Sequence, residues 1–87
     1  MYEVCERTVT VNSFLEPSAV ALLVQTASKF QSRISLVIGE KTANAKSIMG
    51  IISLGLQEGQ EITISARGDD AEDAVPALEQ FFAASRS

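Results

Sequence analysis

At 87 residues, 46% of them hydrophobic, the chain has room for one small packed domain and too much apolar matter for disorder. A net charge of -4, with seven Lys and Arg that form no basic run, excludes nucleic-acid binding through phosphate neutralisation. With no histidine and a single cysteine, Cys5, the chain lacks the commonest general base, an internal disulfide and the ligand set of a zinc site.

Residues 2–11 (YEVCERTVTV) read as the first strand. Thr8 and Thr10 face one way, Val9 and Val11 the other, and Cys5 is expected as a half-buried strand residue. The alternation loses phase near Glu6-Arg7, which predicts a bulge or twist there. Residues 17–30 form a helix that Pro17 opens, since its missing N–H has no partner to lose at that position. Val20, Leu23, Val24, Ala27 and Phe30 share one face at a spacing of about 3.6 residues, and Ala21 and Leu22 widen the apolar arc.

Residues 33–38 (RISLVI) alternate again, with Ile34, Leu36 and Ile38 inward. Gly39-Glu40 turns the chain into a short polar strand over 41–46, suited to a sheet edge. Ser47 is a candidate N-cap for the brief helix that runs to Leu54-Gly55. Residues 60–66 (QEITISA) supply a fourth strand, with Ile62 and Ile64 buried. Four acids among residues 69–73 read as capping of the last helix, whose inner face carries Ala71, Ala74, Val75, Leu78 and Phe82. Pro76 inside that helix costs roughly 3 kcal/mol unless the helix bends or starts late.

The order β-α-β-β-α-β-α must share one core. It predicts a single α+β domain, an open-faced β-sandwich with a four-stranded antiparallel sheet and three helices on one face. No basic segment leads into an apolar stretch at the N-terminus, and no window reaches about 18 apolar residues, so the expected setting is cytoplasmic without a membrane partner.

For chemistry, no Gly-rich phosphate loop appears, the acids lack metal-loop spacing, and no histidine can activate a serine. No enzyme, metal or cofactor is predicted. Two helix starts remain: Glu16-Pro17-Ser18, and Lys46-Ser47-Ile48-Met49-Gly50. Ser47 at an N-cap suits a phosphate, whose oxygens would meet unpaired N–H groups next to Lys46. Ile48, Met49, Ile51, Ile52 and Leu54 cannot all turn inward from so short a helix, so an exposed docking patch is expected there, with Lys46, Ile48, Met49, Ile51, Ile52 and Leu54 as the candidate partner-binding residues.

The stretches LLVQTASKF (22–30) and NAKSIMGIISLGL (44–56) closely resemble HPr, the histidine-containing phosphocarrier family of the bacterial sugar phosphotransferase system. The resemblance covers nearly the whole chain and implies the same fold. The family's phospho-acceptor motif reads roughly Gly-Ile-His-Ala-Arg-Pro-Ala. Aligned without a gap, Glu16 takes the place of the histidine and Ser18 that of the arginine. The resemblance then implies that phosphocarrier transfer from phosphoenolpyruvate is lost.

The KSIMG stretch is instead typical of members whose serine is phosphorylated by HPr kinase/phosphorylase, and Ser47 falls on that serine. The pairing of a missing histidine with an intact serine resembles the Crh-like members, which act in carbon catabolite repression as corepressors of the regulator CcpA. That likeness implies contacts through Ser47, Ile48 and Met49, and a monomer or a weak, strand-exchanged dimer. The motif arginine that joins the CcpA contact is Ser18 here, a departure from the pattern. The alternative is a kinase-independent interaction module, or decoy, in which Glu16 mimics phosphohistidine at a phosphotransferase-system surface.

Overall fold

A computed structural model describes residues 3–11 and 17–84. Seven elements follow in chain order: β1 (Glu3–Thr10), α1 (Pro17–Ser28), β2 (Arg33–Ile38), β3 (Lys41–Asn44), α2 (Ile48–Leu54), β4 (Glu61–Gly68) and α3 (Ala71–Ala84). The strands form one sheet in the order β1-β4-β2-β3, and every neighbouring pair is antiparallel. This is the expected open-faced sandwich. Ile34 and Leu36 of β2 and Ile62, Ile64 and Ala66 of β4 point to the helices and are buried. They meet Val20, Leu23 and Ala27 of α1, Ile51 and Leu54 of α2, and Ala74, Val75, Leu78 and Phe82 of α3 in one hydrophobic core. The alternate residues of the strands leave the opposite face of the sheet open.

The predicted bulge in β1 is absent. The register with β4 runs unbroken from Glu3↔Gly68 to Thr10↔Glu61, and Val11 prolongs it by donating its N–H to the Gln60 carbonyl at 2.8 Å. The phase is lost in the side chains, not in the backbone. Arg7 lies on the helix side of this edge strand and pairs at 3.4 Å with Glu79 of α3, while Val4 stands exposed on the open side. The strand 41–46 is shorter than expected: pairing stops at Asn44. Beyond it Ala45, fully buried, donates to the Ile34 carbonyl at 2.9 Å. Pro76 lies inside α3, which starts early enough to contain it; its side chain is exposed.

The acids before α3 divide their work. Glu72 and Asp73 occupy the first turn, where the helix field favours them. Asp70 does not serve its own helix with its side chain. Its carboxylate accepts from the Gln31 N–H at 2.8 Å, the Ser32 N–H at 2.9 Å and the Ser32 hydroxyl. That tie joins the α1–β2 connection to the start of α3. The Ser32 hydroxyl first, then the Gln31 amide, hold the Asp70 carboxyl below its ordinary value of 3.8. Among the described residues, no helix is long and apolar enough to cross a membrane.

Candidate functional site

The chain leaves β3 through a tight local turn. The Asn44 side-chain oxygen accepts from the Lys46 N–H at 2.8 Å, and the Asn44 carbonyl accepts from the Ser47 N–H at 3.0 Å. Ser47 is extended (φ -120°, ψ 115°), the backbone geometry of an N-cap. Its Oγ accepts from the Gly50 N–H at 3.1 Å and its carbonyl accepts from the Ile51 N–H at 3.1 Å. At the other end Gly55 (φ 67°) closes α2 in the left-handed conformation and donates to the Ile52 carbonyl at 3.1 Å. Ser47 is therefore fixed, half-buried, at the entrance of a fully capped helix.

The cap uses Oγ as an acceptor, so the hydroxyl proton stays available. Among the described residues no side chain hydrogen-bonds this hydroxyl, so none of them is set as a base to remove its proton. Such a serine can be a substrate for another enzyme but is not itself an activated nucleophile. Gly50 keeps the site open. A Cβ there would lie 3.3 Å from Ser47 Oγ and 3.4 Å from Ser47 Cβ. A groove between α2 and the β3 edge runs past these two residues, with Lys41, Asn44 and Ser53 on its walls. The importance of Gly50 went unread in the sequence, although the spacing Ser-x-x-Gly puts it opposite the cap oxygen.

The apolar residues of α2 separate by face. Ile48 (43% exposed), Met49 (73%) and Ile52 (52%) project into solvent, a density of bare apolar surface unusual for a seven-residue helix. Ile51 and Leu54 do not belong to that surface: they are 1% and 6% exposed and form part of the core. Their expected place in the docking patch is corrected by helical periodicity, which turns them toward the sheet. On α1, the helix packed beside α2, Leu22 is also exposed instead of widening the buried face.

Lys46, the other expected contact residue, is half-buried and engaged within the chain. Its Nζ donates to the Phe30 carbonyl at 2.7 Å, just past the end of α1. The ammonium thus serves an otherwise unpaired carbonyl of the α1 terminus and ties α1 to the α2 entrance. Ser18 is exposed in the first turn of α1. Glu16 lies outside the described residues, as does the rest of the 12–16 segment.

A sequence profile described as "PTS HPr component phosphorylation site" matches residues 5–84. The chain is 41% identical over 66 residues to the phosphocarrier protein HPr of Mycoplasma capricolum, covering 76% of this chain and 74% of that protein. Its fold is similar to the crystal structure of HPr from Bacillus anthracis, with a TM-score of 0.86, 41% identity and coverage of 91% of this chain and 96% of that one. It is also similar to Crh, the catabolite-repression protein of Bacillus subtilis. That crystal structure is described as a swapped, intertwined dimer and matches with a TM-score of 0.76, 37% identity and 86% of each chain covered.

Proposed function

The chain belongs to the HPr family of the bacterial sugar phosphotransferase system, and from that premise we propose that it is a cytoplasmic regulatory member, not a phosphocarrier and not an enzyme. HPr kinase/phosphorylase phosphorylates it on Ser47. The phosphorylated form then binds a regulator of the CcpA type, or a phosphotransferase-system protein, through Ile48, Met49 and Ile52.

The observation that carries this reading is the joint presentation, on one short helix, of a capped serine and three exposed apolar side chains. In the modification step the Ser47 oxygen attacks the terminal phosphorus of ATP. The bond to the bridging oxygen breaks, ADP leaves, and the hydroxyl proton passes to a base on the kinase. The ester adds close to two negative charges at the positive end of α2, where free N–H groups favour them. A partner arginine gains a bidentate target beside an apolar surface. Loss of the carrier function rests on the sequence: no histidine exists anywhere in the chain. A swapped dimer, as described for Crh, is a compatible assembly.

Incubation with HPr kinase/phosphorylase and ATP, followed by mass spectrometry, tests the reading. One phosphate on the wild type and none on Ser47→Ala is expected. No phosphate on the wild type, or one that persists in the variant, overturns it. The decoy alternative depends on the charge of Glu16. It predicts that Glu16→Gln abolishes binding to a phosphotransferase-system partner without any kinase.

A further inference from the structure

The open face of the sheet carries a feature unrelated to Ser47. Arg33 of β2 and Arg67 of β4 are directly opposite in the register, and Val4 of β1 is opposite Arg67 on the other side. All three side chains are exposed on the face away from the helices. Facing residues in an antiparallel pair have Cβ atoms about 5 Å apart, and like charges at that separation repel. Among the described residues the one ion pair is that of Arg7 with Glu79, and neither Arg33 nor Arg67 has a carboxylate or hydrogen-bond partner. In a chain of net charge -4, two adjacent unpaired guanidinium groups are an exception that its own acids do not neutralise. They line a hollow of about 440 Å³ together with Gln31, Gly68 and Asp69. Gly68 lines it without a side chain, and Gln31 brings an amide donor.

We infer that Arg33 and Arg67 form a binding site for a phosphate-class dianion, either the free ion or a small phosphate monoester. Two planar forks side by side match the several oxygens of a phosphoryl group, which relieves their mutual repulsion. Val4, which flanks Arg67 outside the lining of the hollow, offers apolar surface beside it for the organic part of an ester. Asp69 on the rim opposes the anion and limits affinity.

The probes are inorganic phosphate and methyl phosphate, added at constant ionic strength to the full chain while the arginine Nε–Hε signals and, in every variant, the backbone amide signals of Gln31, Gly68 and residue 69 are followed by NMR. Saturable shifts of the Arg33 and Arg67 signals are expected. Arg33→Gln and Arg67→Gln each weaken binding about tenfold, as loss of a charged hydrogen bond does. Asp69→Asn tightens it. The double variant Arg33→Lys/Arg67→Lys keeps the charge but loses the forks, and binds several-fold more weakly. Both arginines are exposed, and circular dichroism checks that the variants fold. Equal affinity for the two probes assigns the free ion, and tighter methyl phosphate assigns the ester; either supports the site. Shifts that chloride reproduces, that persist in the Gln variants, or that are undiminished in the double Lys variant overturn it.

Discussion

Gly68 passes so close to Ser32 that a Cβ on it would lie 2.6 Å from Ser32 Oγ and 2.8 Å from Ser32 Cα. The second of those atoms is backbone and cannot swing aside. Gly68 also has φ 150°, a conformation that L side chains rarely adopt. Gly68→Ala therefore meets a steric wall and an unfavourable backbone at once. It should cost about 2 to 4 kcal/mol in urea unfolding. Gly55→Ala, at a positive φ but with nothing within 4 Å, should cost only about 1 to 2 kcal/mol. Equal losses for the two would contradict the role assigned to the Ser32 contact.

The carboxylate of Asp70 completes the same junction, and its ionisation links the junction to pH. Its pKa is lowered in the folded chain, so the folded state favours the charged form. The stability it adds is fully present above its ordinary value of 3.8 and is lost as pH falls through the lower, folded value. Asp70→Asn should be less stable than the wild type near neutral pH. The gap should narrow as the two are titrated from about pH 5 to pH 2. A difference in unfolding midpoint that stays constant over that range would rule out the mechanism.

The architecture was legible from periodicity because the inner faces of β2, β4, α1 and α3 are cleanly apolar at their own spacing. Ile34, Leu36, Ile62, Ile64, Leu78 and Phe82 each fall where the pattern put them. Ser47 was legible too, since an N-cap is a local chemical rule. What escaped depends on contacts distant in sequence. Nothing local announces that Asp70 reaches back 38 residues to Ser32, or that the Lys46 ammonium belongs to the Phe30 carbonyl. Arg7 misled for the related reason that a long side chain can leave the core face and still be tied down at its tip. The reading of Glu16 and Ser18 as replacements at the carrier motif rests on the family resemblance alone, since no physical pattern in the chain points to it.

Lys46→Met should separate the structural role of this residue from its supposed recognition role. It keeps the stem and removes the charged hydrogen bond to the Phe30 carbonyl. A loss of roughly 1 to 2 kcal/mol in unfolding free energy is expected. Phosphorylation at Ser47 should proceed at an unchanged rate once the protein is folded. Unchanged stability together with a large fall in phosphorylation would instead make Lys46 a recognition residue.

Ser47 serves both as a cap and as the proposed acceptor, and two variants separate these roles. Ser47→Ala removes the oxygen that accepts from the Gly50 N–H and should lose about 1 kcal/mol. Ser47→Asp restores an acceptor at the same position and should recover most of that loss, while neither variant can be phosphorylated at this residue. If Ser47→Asp is as unstable as Ser47→Ala, the cap contributes little and the exposed start of α2 needs another explanation.

The two faces of α2 predict opposite consequences for residues only one or two positions apart. Met49 is exposed, so Met49→Ala should leave stability within about 0.5 kcal/mol of the wild type. Ile51 is in the core, and Ile51→Ala should cost about 2 to 5 kcal/mol, because it leaves a cavity under the helix. Binding of the Ser47-phosphorylated protein to a CcpA-type regulator, measured by titration calorimetry, should respond in the reverse order. Met49→Ala and Ile52→Ala remove apolar contact area at the centre of the proposed surface, and each should weaken binding by about tenfold or more if it is a hot spot. Ile51→Val, a milder core change that keeps the fold, should bind like the wild type. If Met49→Ala and Ile52→Ala both bind normally, the exposed face of α2 is not the recognition surface, even where Ser47 proves to be phosphorylated.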